Sequence, residues 1–155
     1  MYILDTNAFY ALGNYYPKRF PTIWEHIDQL ADAGEFASVK EVRREIEHNC
    51  PFPHIEDWVK ARRFAFRKPD AQELEIVADI FKHAQFIGLV RTTQIKRGLP
   101  VADPFLVAAA KVHDGILVTQ ESHKKGAARI PTVCEYYDVK CINVEQLLEM
   151  EGLEY

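Results

Sequence analysis

Met1-Tyr2-Ile3-Leu4-Asp5-Thr6-Asn7 opens the chain as an apolar run that ends on a carboxylate. A short apolar run of this kind reads as a buried strand of a parallel sheet. Open α/β sheets hold their ligands beyond the carboxyl ends of such strands. Asp5 is therefore a candidate site residue. Thr6 and Asn7 add short polar groups able to orient a water or to start the next helix. The same three residue types also serve as plain helix N-caps, so the stretch fits either role until other carboxylates are placed beside it.

The rest of the chain supplies the strands and helices such a sheet needs. Phe36 to Ser38 continues a second strand begun at Glu35. Ile116-Leu117-Val118-Thr119 is a third apolar strand, and Val139 to Ile142 a last one. Between them run helical periods. Thr22 and Glu25 form a capping-box pattern ahead of Ile23, Trp24, Ile27, Leu30 and Ala31, with Gly34 as the stop. Ser38 is placed to cap a helix carrying Val42 and Ile46, and Pro51 and Pro53 break it. A long helix is expected from Ala71 to Gln85 with Leu74, Val77, Ala78 and Phe81 inward, followed by a loop-like stretch broken at Gly98 and Pro100. Asp103-Pro104 starts a nearly all-apolar helix from Phe105 to Val112 that Gly115 ends, with Pro104 at the first helical position. Pro131 to Tyr137 and Val144 to Met150 complete the helices. Strands separated by helices predict a parallel sheet covered on both faces.

With 155 residues the chain is expected to form one domain, residues 1–155, with a core of its own. The net charge of −4 excludes a globally basic nucleic-acid binder, so any such contact rests on local patches. Cys50, Cys134 and Cys141 are too few and too scattered for a disulfide framework or a zinc site, and read as structural thiols of a reducing compartment. No apolar stretch approaches a membrane span, and Asp5 interrupts the first apolar run before it can serve as a signal sequence. The expectation is a cytoplasmic protein with no membrane role.

Three more acids complete the pattern. Asp103 stands at the start of the apolar helix, Glu121 just beyond the strand Ile116–Thr119, and Glu45 on the helix after the second strand. Strand ends and the helix starts they feed share one edge of a parallel sheet, so Asp5, Asp103 and Glu121 can converge. Glu45 joins them if its helix leans over that edge. Carboxylates that converge need a counter-charge, and hard divalent cations such as Mg²⁺ or Mn²⁺ supply it through oxygen ligands. Such a cation polarises a phosphoryl oxygen and acidifies water, the chemistry of phosphodiester hydrolysis. Each acid has a plainer reading: Asp103 as a cap, Glu45 as a solvated helix residue, Glu121 as a loop acid and Asp79 as a solvated mid-helix residue.

On these residues the sequence resembles the PIN-domain nucleases, including the toxins of the VapC type. Leu4-Asp5-Thr6-Asn7 is similar to their opening motif. Ser38 with Val42 and Glu45 is similar to the second, Ala102-Asp103 followed by Leu106 to Ala110 to the third, and Leu117-Val118-Thr119-Gln120-Glu121 to the fourth. The resemblance implies a three-layer α/β/α sandwich with a parallel sheet of about four or five strands. It implies a Mg²⁺- or Mn²⁺-dependent endoribonuclease that leaves 5′-phosphate and 3′-hydroxyl ends, with Asp5, Glu45, Asp103 and Glu121 as metal ligands. Thr6, Asn7 and Thr119 would orient water or those ligands. It also implies RNA as substrate, a cognate antitoxin and a homodimer. The chain departs from the commonest pattern in three places: Glu at 121 where Asp is usual, Pro104 directly after Asp103, and a long segment between the second and third motifs.

That long segment is basic. Five cations, Lys60, Arg62, Arg63, Arg67 and Lys68, interleave with Phe64 and Phe66. They read either as an RNA-binding stretch whose aromatics stack on bases or as a solvated face over a core. Arg91, Lys96 and Arg97 precede Asp103, and Lys124, Lys125 and Arg129 follow Glu121, so both groups adjoin proposed ligands. Phe9, Tyr10, Tyr15 and Tyr16 read as an interface or as core. The alternative to the nuclease is a catalytically silent PIN-like module that binds RNA or protein. A phosphohydrolase with Asp5 as nucleophile fits less well, because Asn7 stands where such enzymes of the haloacid dehalogenase type carry a second acid.

Overall fold

Tyr2–Leu4 forms strand β1, every residue of it buried. It is the central strand of the sheet in the computed structural model of the chain, which describes residues 1–83, 86, 102–124 and 128–154. On one side β1 pairs in parallel with β2 (Phe36–Val39), Tyr2 opposite Phe36 and Ile3 opposite Ala37. On the other it pairs in parallel with β4 (Ile116–Val118), Leu4 opposite Val118. Two short edge strands complete the order β3-β2-β1-β4-β5: β3 (Phe66–Arg67) beside β2 and β5 (Cys141–Ile142) beside β4.

Helices fill the connections. α1 (Thr6–Leu12) and α2 (Pro21–Asp32) join β1 to β2, and α3 (Lys40–Asn49) and α4 (Pro53–Ala61) lead from β2 to β3. α5 (Ala71–Lys82) and α6 (Asp103–Val112) precede β4, α7 (Ile130–Tyr136) precedes β5, and α8 (Val144–Met150) follows it. Right-handed crossovers put the helices of the leftward steps on one face and those of the rightward steps on the other. α1 therefore packs with α3, and α3 with α4, while α6 packs with α5 and α7 on the opposite face. The result is the three-layer α/β/α arrangement of a parallel sheet.

α6 is the buried centre of its layer. Leu106, Val107, Ala108, Ala109 and Ala110 are all enclosed, as the apolar run predicts. At its end Gly115 passes so close to β1 that a Cβ there would lie 3.2 Å from the Met1 carbonyl oxygen. Because α6 ends beside the start of β1, its Asp103 end lies toward the carboxyl edge of the strands.

Several expectations are corrected by tertiary partners. α2 begins at Pro21 with Phe20 at the N-cap, so Thr22 and Glu25 are not its capping box. Ser38 lies inside β2, where its Oγ donates to the Leu4 carbonyl at 2.6 Å, and Val39 takes the cap position of α3. Ala102 is the N-cap of α6, and Asp103 and Pro104 lie in its first turn. In α5 the inward residues are Glu73, Val77 and Ile80, whereas Leu74 and Phe81 are 49% and 45% exposed and Ala78 faces outward. The strand β3 falls inside the basic stretch, where no strand is expected. Gln85, Gly98 and Pro100, and with them the expected end of α5 and the loop after it, lie outside the described residues. Among the described residues no helix is long and apolar enough to cross a membrane.

Candidate active site

The strand order reverses between β1 and β4, and the residues just past both strands meet there. Asp5 is 5% exposed and Thr119 2%. The Asp5 amide extends the ladder to the Val118 carbonyl at 3.0 Å. Its carboxylate is divided: Oδ1 accepts from the Thr6 amide at 2.6 Å, and Oδ2 accepts from the Thr119 hydroxyl at 2.9 Å. Asp5 is thus the N-cap of α1 and a buried carboxylate at the switch point at once. Asn7 closes the other side of the crevice. Its Oδ1 accepts from the Gln120 amide at 2.9 Å and lies 3.2 Å from Thr119 Oγ1.

Glu45 reaches this edge from α3, because the Thr6 hydroxyl donates to its Oε2. Glu121 also lies near Asp5, but its Oε2 accepts from the Ile130 amide at 3.0 Å and so secures the first turn of α7. Asp103 is half-buried in the first turn of α6. Burial pushes the Asp5 carboxyl up to about 7. The hydrogen bonds from Thr119 and Thr6 pull it back, and the charges of Glu121 and Glu45 push it up again. Among the described residues no Lys, Arg or His forms an ion pair with Asp5. Carboxylates that oppose one another's ionisation, as Glu121 and Glu45 oppose that of Asp5, suit a hard divalent cation, although among the described residues the ligand atoms that gather within 4.8 Å of one another are those of Asp70, Glu73 and His113.

Gln120 is a site residue whose role no local sequence pattern gives. Besides its amide bond to Asn7, its Oε1 accepts from the Val144 amide at 3.0 Å, so one side chain ties the β4 end to the start of α8. The only signal in the sequence is its place between Thr119 and Glu121.

The basic stretch is largely engaged within the molecule. Lys60 pairs with Glu56 at 3.0 Å, and Arg62 pairs with Asp28 at 3.0 Å over the Trp58 ring. Arg67 reaches His113 at 2.9 Å. Phe66 is core and Phe64 is 63% exposed, while Arg63 and Lys68 face solvent. Lys124 is exposed and Arg129 donates to Ser122 Oγ at 3.0 Å. Arg91, Lys96, Arg97 and Lys125 lie outside the described residues. Of the N-terminal aromatics, Phe9 is core against Phe36, Trp58 and Phe66, and Tyr16 is 53% exposed. Asp79 is not merely solvated, since it accepts from the Tyr137 hydroxyl at 2.6 Å.

A second acidic group, Asp70, Glu73 and His113, brings its ligand atoms within 4.8 Å of one another and could hold a metal ion. The Arg67 guanidinium already lies 2.9 Å from His113 Nε2 and 3.8 Å from Glu73. That cation balances Glu73, which is 2% exposed and closes the capping box of α5 with Asp70. The arrangement fits an ion-pair lock between α5, α6 and β3 better than a metal centre.

A family model described as a domain of unknown function, DUF4411, matches residues 2–155. The chain belongs to this family. No curated protein matches the DUF4411 chain. Among solved structures it is similar to VapBC2 from Rickettsia felis, bound to a DNA fragment from their promoter. That match has a TM-score of 0.47 and 14% identity, over 92% of this chain and 97% of the other. It is also similar to PAE2754 from Pyrobaculum aerophilum, with a TM-score of 0.44 and 19% identity, over 96% of this chain and 94% of the other.

Proposed function

We propose that this DUF4411 protein is a metal-dependent endoribonuclease of the PIN type, with its active site at the crevice between β1 and β4. The observation that carries the reading is Asp5, a buried carboxylate at the switch point, with Glu45 and Glu121 close enough to oppose its ionisation. Asp5, Glu45, Asp103 and Glu121 would hold Mg²⁺ or Mn²⁺. When bound, the cation supplies polarisation of a phosphoryl oxygen and acidification of water.

The chain's own groups do the positioning. Thr119 and the Thr6 amide fix both oxygens of Asp5. The Thr6 hydroxyl fixes Glu45, and Asn7 holds the loop after β4 against the start of α1. Such outer hydrogen bonds orient metal-ligating carboxylates and tune their basicity. Lys124, Lys125, Lys96 and Arg97 adjoin the proposed ligands in sequence and supply the cations an RNA backbone needs. By the same family resemblance the enzyme would be the toxin of a toxin–antitoxin pair, acting as a homodimer and held in check by a protein antitoxin.

The test is a Mn²⁺-supplemented cleavage assay on a panel of RNAs. Wild type is expected to leave 5′-phosphate ends, and Asp5→Asn to lose at least about a hundredfold in rate. Full activity in both Asp5→Asn and Asp103→Asn sinks the assignment. A second reading, a silent module that binds RNA or protein, is favoured by the bond from the Ile130 amide to Glu121, which occupies one oxygen of a proposed ligand. Calorimetry with Mn²⁺ separates the two readings, because the silent module binds none.

A further inference from the structure

The turn before β3 presents an aromatic ring to solvent beside a cleft. Phe64, in the 3₁₀ turn Arg63–Ala65, is 63% exposed, more than any other large apolar side chain among the described residues. The turn that carries it is fixed: the Ala65 amide donates to the Arg62 carbonyl at 3.0 Å, and Asp28 and the Trp58 ring hold Arg62. The cleft that Phe64 helps to line has a volume of about 370 Å³, within the range of small-ligand sites. Its buried lining includes Ala31, Ala37 and Ala65, small side chains that leave room for a flat group. Its polar lining includes Arg67 and His113. Among the described residues Arg67 Nη1 is buried with no hydrogen-bond acceptor. The Glu73 carboxylate, 3.8 Å away, balances its charge but is too distant to accept its hydrogen. Met1, which precedes β1, also lines the cleft, so the cleft lies at the amino edge of the sheet and Asp5 at the opposite one.

We propose that this cleft is a nucleobase slot: an unpaired base of a single-stranded RNA lies against the Phe64 ring with an acceptor edge at Arg67 Nη1, and Arg63 and Lys68 take the neighbouring phosphates. The chemistry selects the ligand. Glu73 already neutralises Arg67, so the cleft has little pull on a free anion. A buried donor left without an acceptor, among small apolar side chains, suits a flat neutral group that carries an acceptor on its edge. Nucleobases are such groups; they stack on exposed aromatic rings and accept from arginine through ring nitrogens and carbonyl oxygens. Arg63 and Lys68 are exposed, and among the described residues neither forms an ion pair, so both are open to a phosphate backbone. That the polymer is RNA rests on the nuclease reading, whereas the slot itself needs neither metal nor cleavage. Because Asp5 lies at the other edge of the sheet, the base held here is one that flanks the scissile bond.

The experiment measures fluorescence anisotropy of a fluorescein-labelled, unstructured RNA oligonucleotide with the full-length protein in chelator, where no metal-dependent cleavage occurs. Phe64 is exposed, so its replacement leaves the fold intact. Phe64→Ala is expected to weaken RNA binding about tenfold, the loss of one stacked base. Phe64→Leu is expected to match it, and Phe64→Trp to restore the wild-type affinity, because the aromatic face and not the apolar bulk carries the contact. The double variant Arg63→Gln, Lys68→Gln is expected to lower the slope of log affinity against log salt by about 1.4, the release of two phosphate contacts on a single strand. Adenosine monophosphate, the free-nucleotide arm, is expected to bind at least about tenfold more weakly than the oligonucleotide, since it lacks the flanking phosphates. Equal RNA affinity in wild type and Phe64→Ala overturns the slot and leaves Phe64 to a protein partner. Equal affinity for the mononucleotide and the strand overturns the assignment to RNA. Phe64-dependent binding in a protein that cleaves no RNA with Mn²⁺ supports the slot and counts against the nuclease reading alone, whereas cleavage together with Phe64-independent binding overturns the slot alone.

Discussion

The Thr119 hydroxyl lies 2.9 Å from Asp5 Oδ2 and 3.2 Å from Asn7 Oδ1, so one proton faces two acceptors. With Asp5 ionised the hydroxyl donates to the carboxylate. With Asp5 protonated the acid donates to Thr119 Oγ1, and the hydroxyl turns to Asn7. Thr119 also accepts from the Glu121 amide at 3.2 Å, which fixes the loop that carries Glu121. One side chain thereby couples the charge state of Asp5 to the end of β4. Thr119→Val keeps the shape and removes the hydroxyl. It is expected to lower Mn²⁺ affinity by about ten- to a hundredfold and to cost about 1–3 kcal/mol from groups left unpaired. Calorimetric titration and urea unfolding measure the two effects, and unchanged Mn²⁺ affinity refutes the role assigned to the hydroxyl.

Asp5 also gives the metal-free protein a pH dependence. Its folded value of about 7 lies above the ordinary 3.8, so the folded protein holds a proton that the unfolded chain has released. The stability tied to that proton is complete below 3.8 and is lost as the pH rises through 7. The separation corresponds to about 4 kcal/mol. Urea unfolding in chelator is expected to show this decline between pH 4 and pH 7, and Asp5→Asn to flatten it. A wild-type profile that matches that of the variant rules out the buried acid as its source.

Glu73 is the keystone of the other buried charge group. Its Oε1 lies 2.7 Å from His113 Nε2 and 3.8 Å from Arg67, and its Oε2 accepts from the Asp70 amide at 2.9 Å. Removing one partner of a buried charge network leaves the rest without compensation. Glu73→Ala is expected to cost about 3–5 kcal/mol while Mn²⁺ binding at the Asp5 site is unchanged. Denaturant unfolding and titration of the same preparation test this. A loss of Mn²⁺ binding in a folded Glu73→Ala protein would place the metal at Glu73 instead.

The sequence is informative wherever one local signal decides. β1 and β4 are uninterrupted apolar runs, α6 is apolar from Pro104 to Ala110, and the helix Val144–Met150 lies where its sequence pattern places it. It is silent wherever a distant partner decides. Phe66–Arg67 is a strand only because Ser38 and Val39 pair with it. The apolar stripe Leu74, Ala78 and Phe81 is turned outward because Arg67 and His113 hold Glu73 inside. Asp5 and Thr119 can each be placed at a strand end from sequence. That β1 and β4 are neighbours follows only from the strand order. The partner of Glu121, the Ile130 amide, belongs to a helix start that no residue pattern ties to it.

Glu121 separates the two functional readings, because its carboxylate has two possible tasks that substitutions can divide. Glu121→Gln keeps an oxygen for the Ile130 amide and removes the charge. Glu121→Ala removes both. The Ala variant is expected to lose about 1 kcal/mol, the size of a helix cap, and the Gln variant to unfold at the wild-type midpoint. If Glu121 helps to hold the cation, Mn²⁺ affinity falls about tenfold in both variants despite their different stabilities. The nuclease reading commits to that outcome. Wild-type Mn²⁺ affinity and cleavage in Glu121→Gln would leave Glu121 as a helix cap only, and the site with Asp5, Glu45 and Asp103 as its acids.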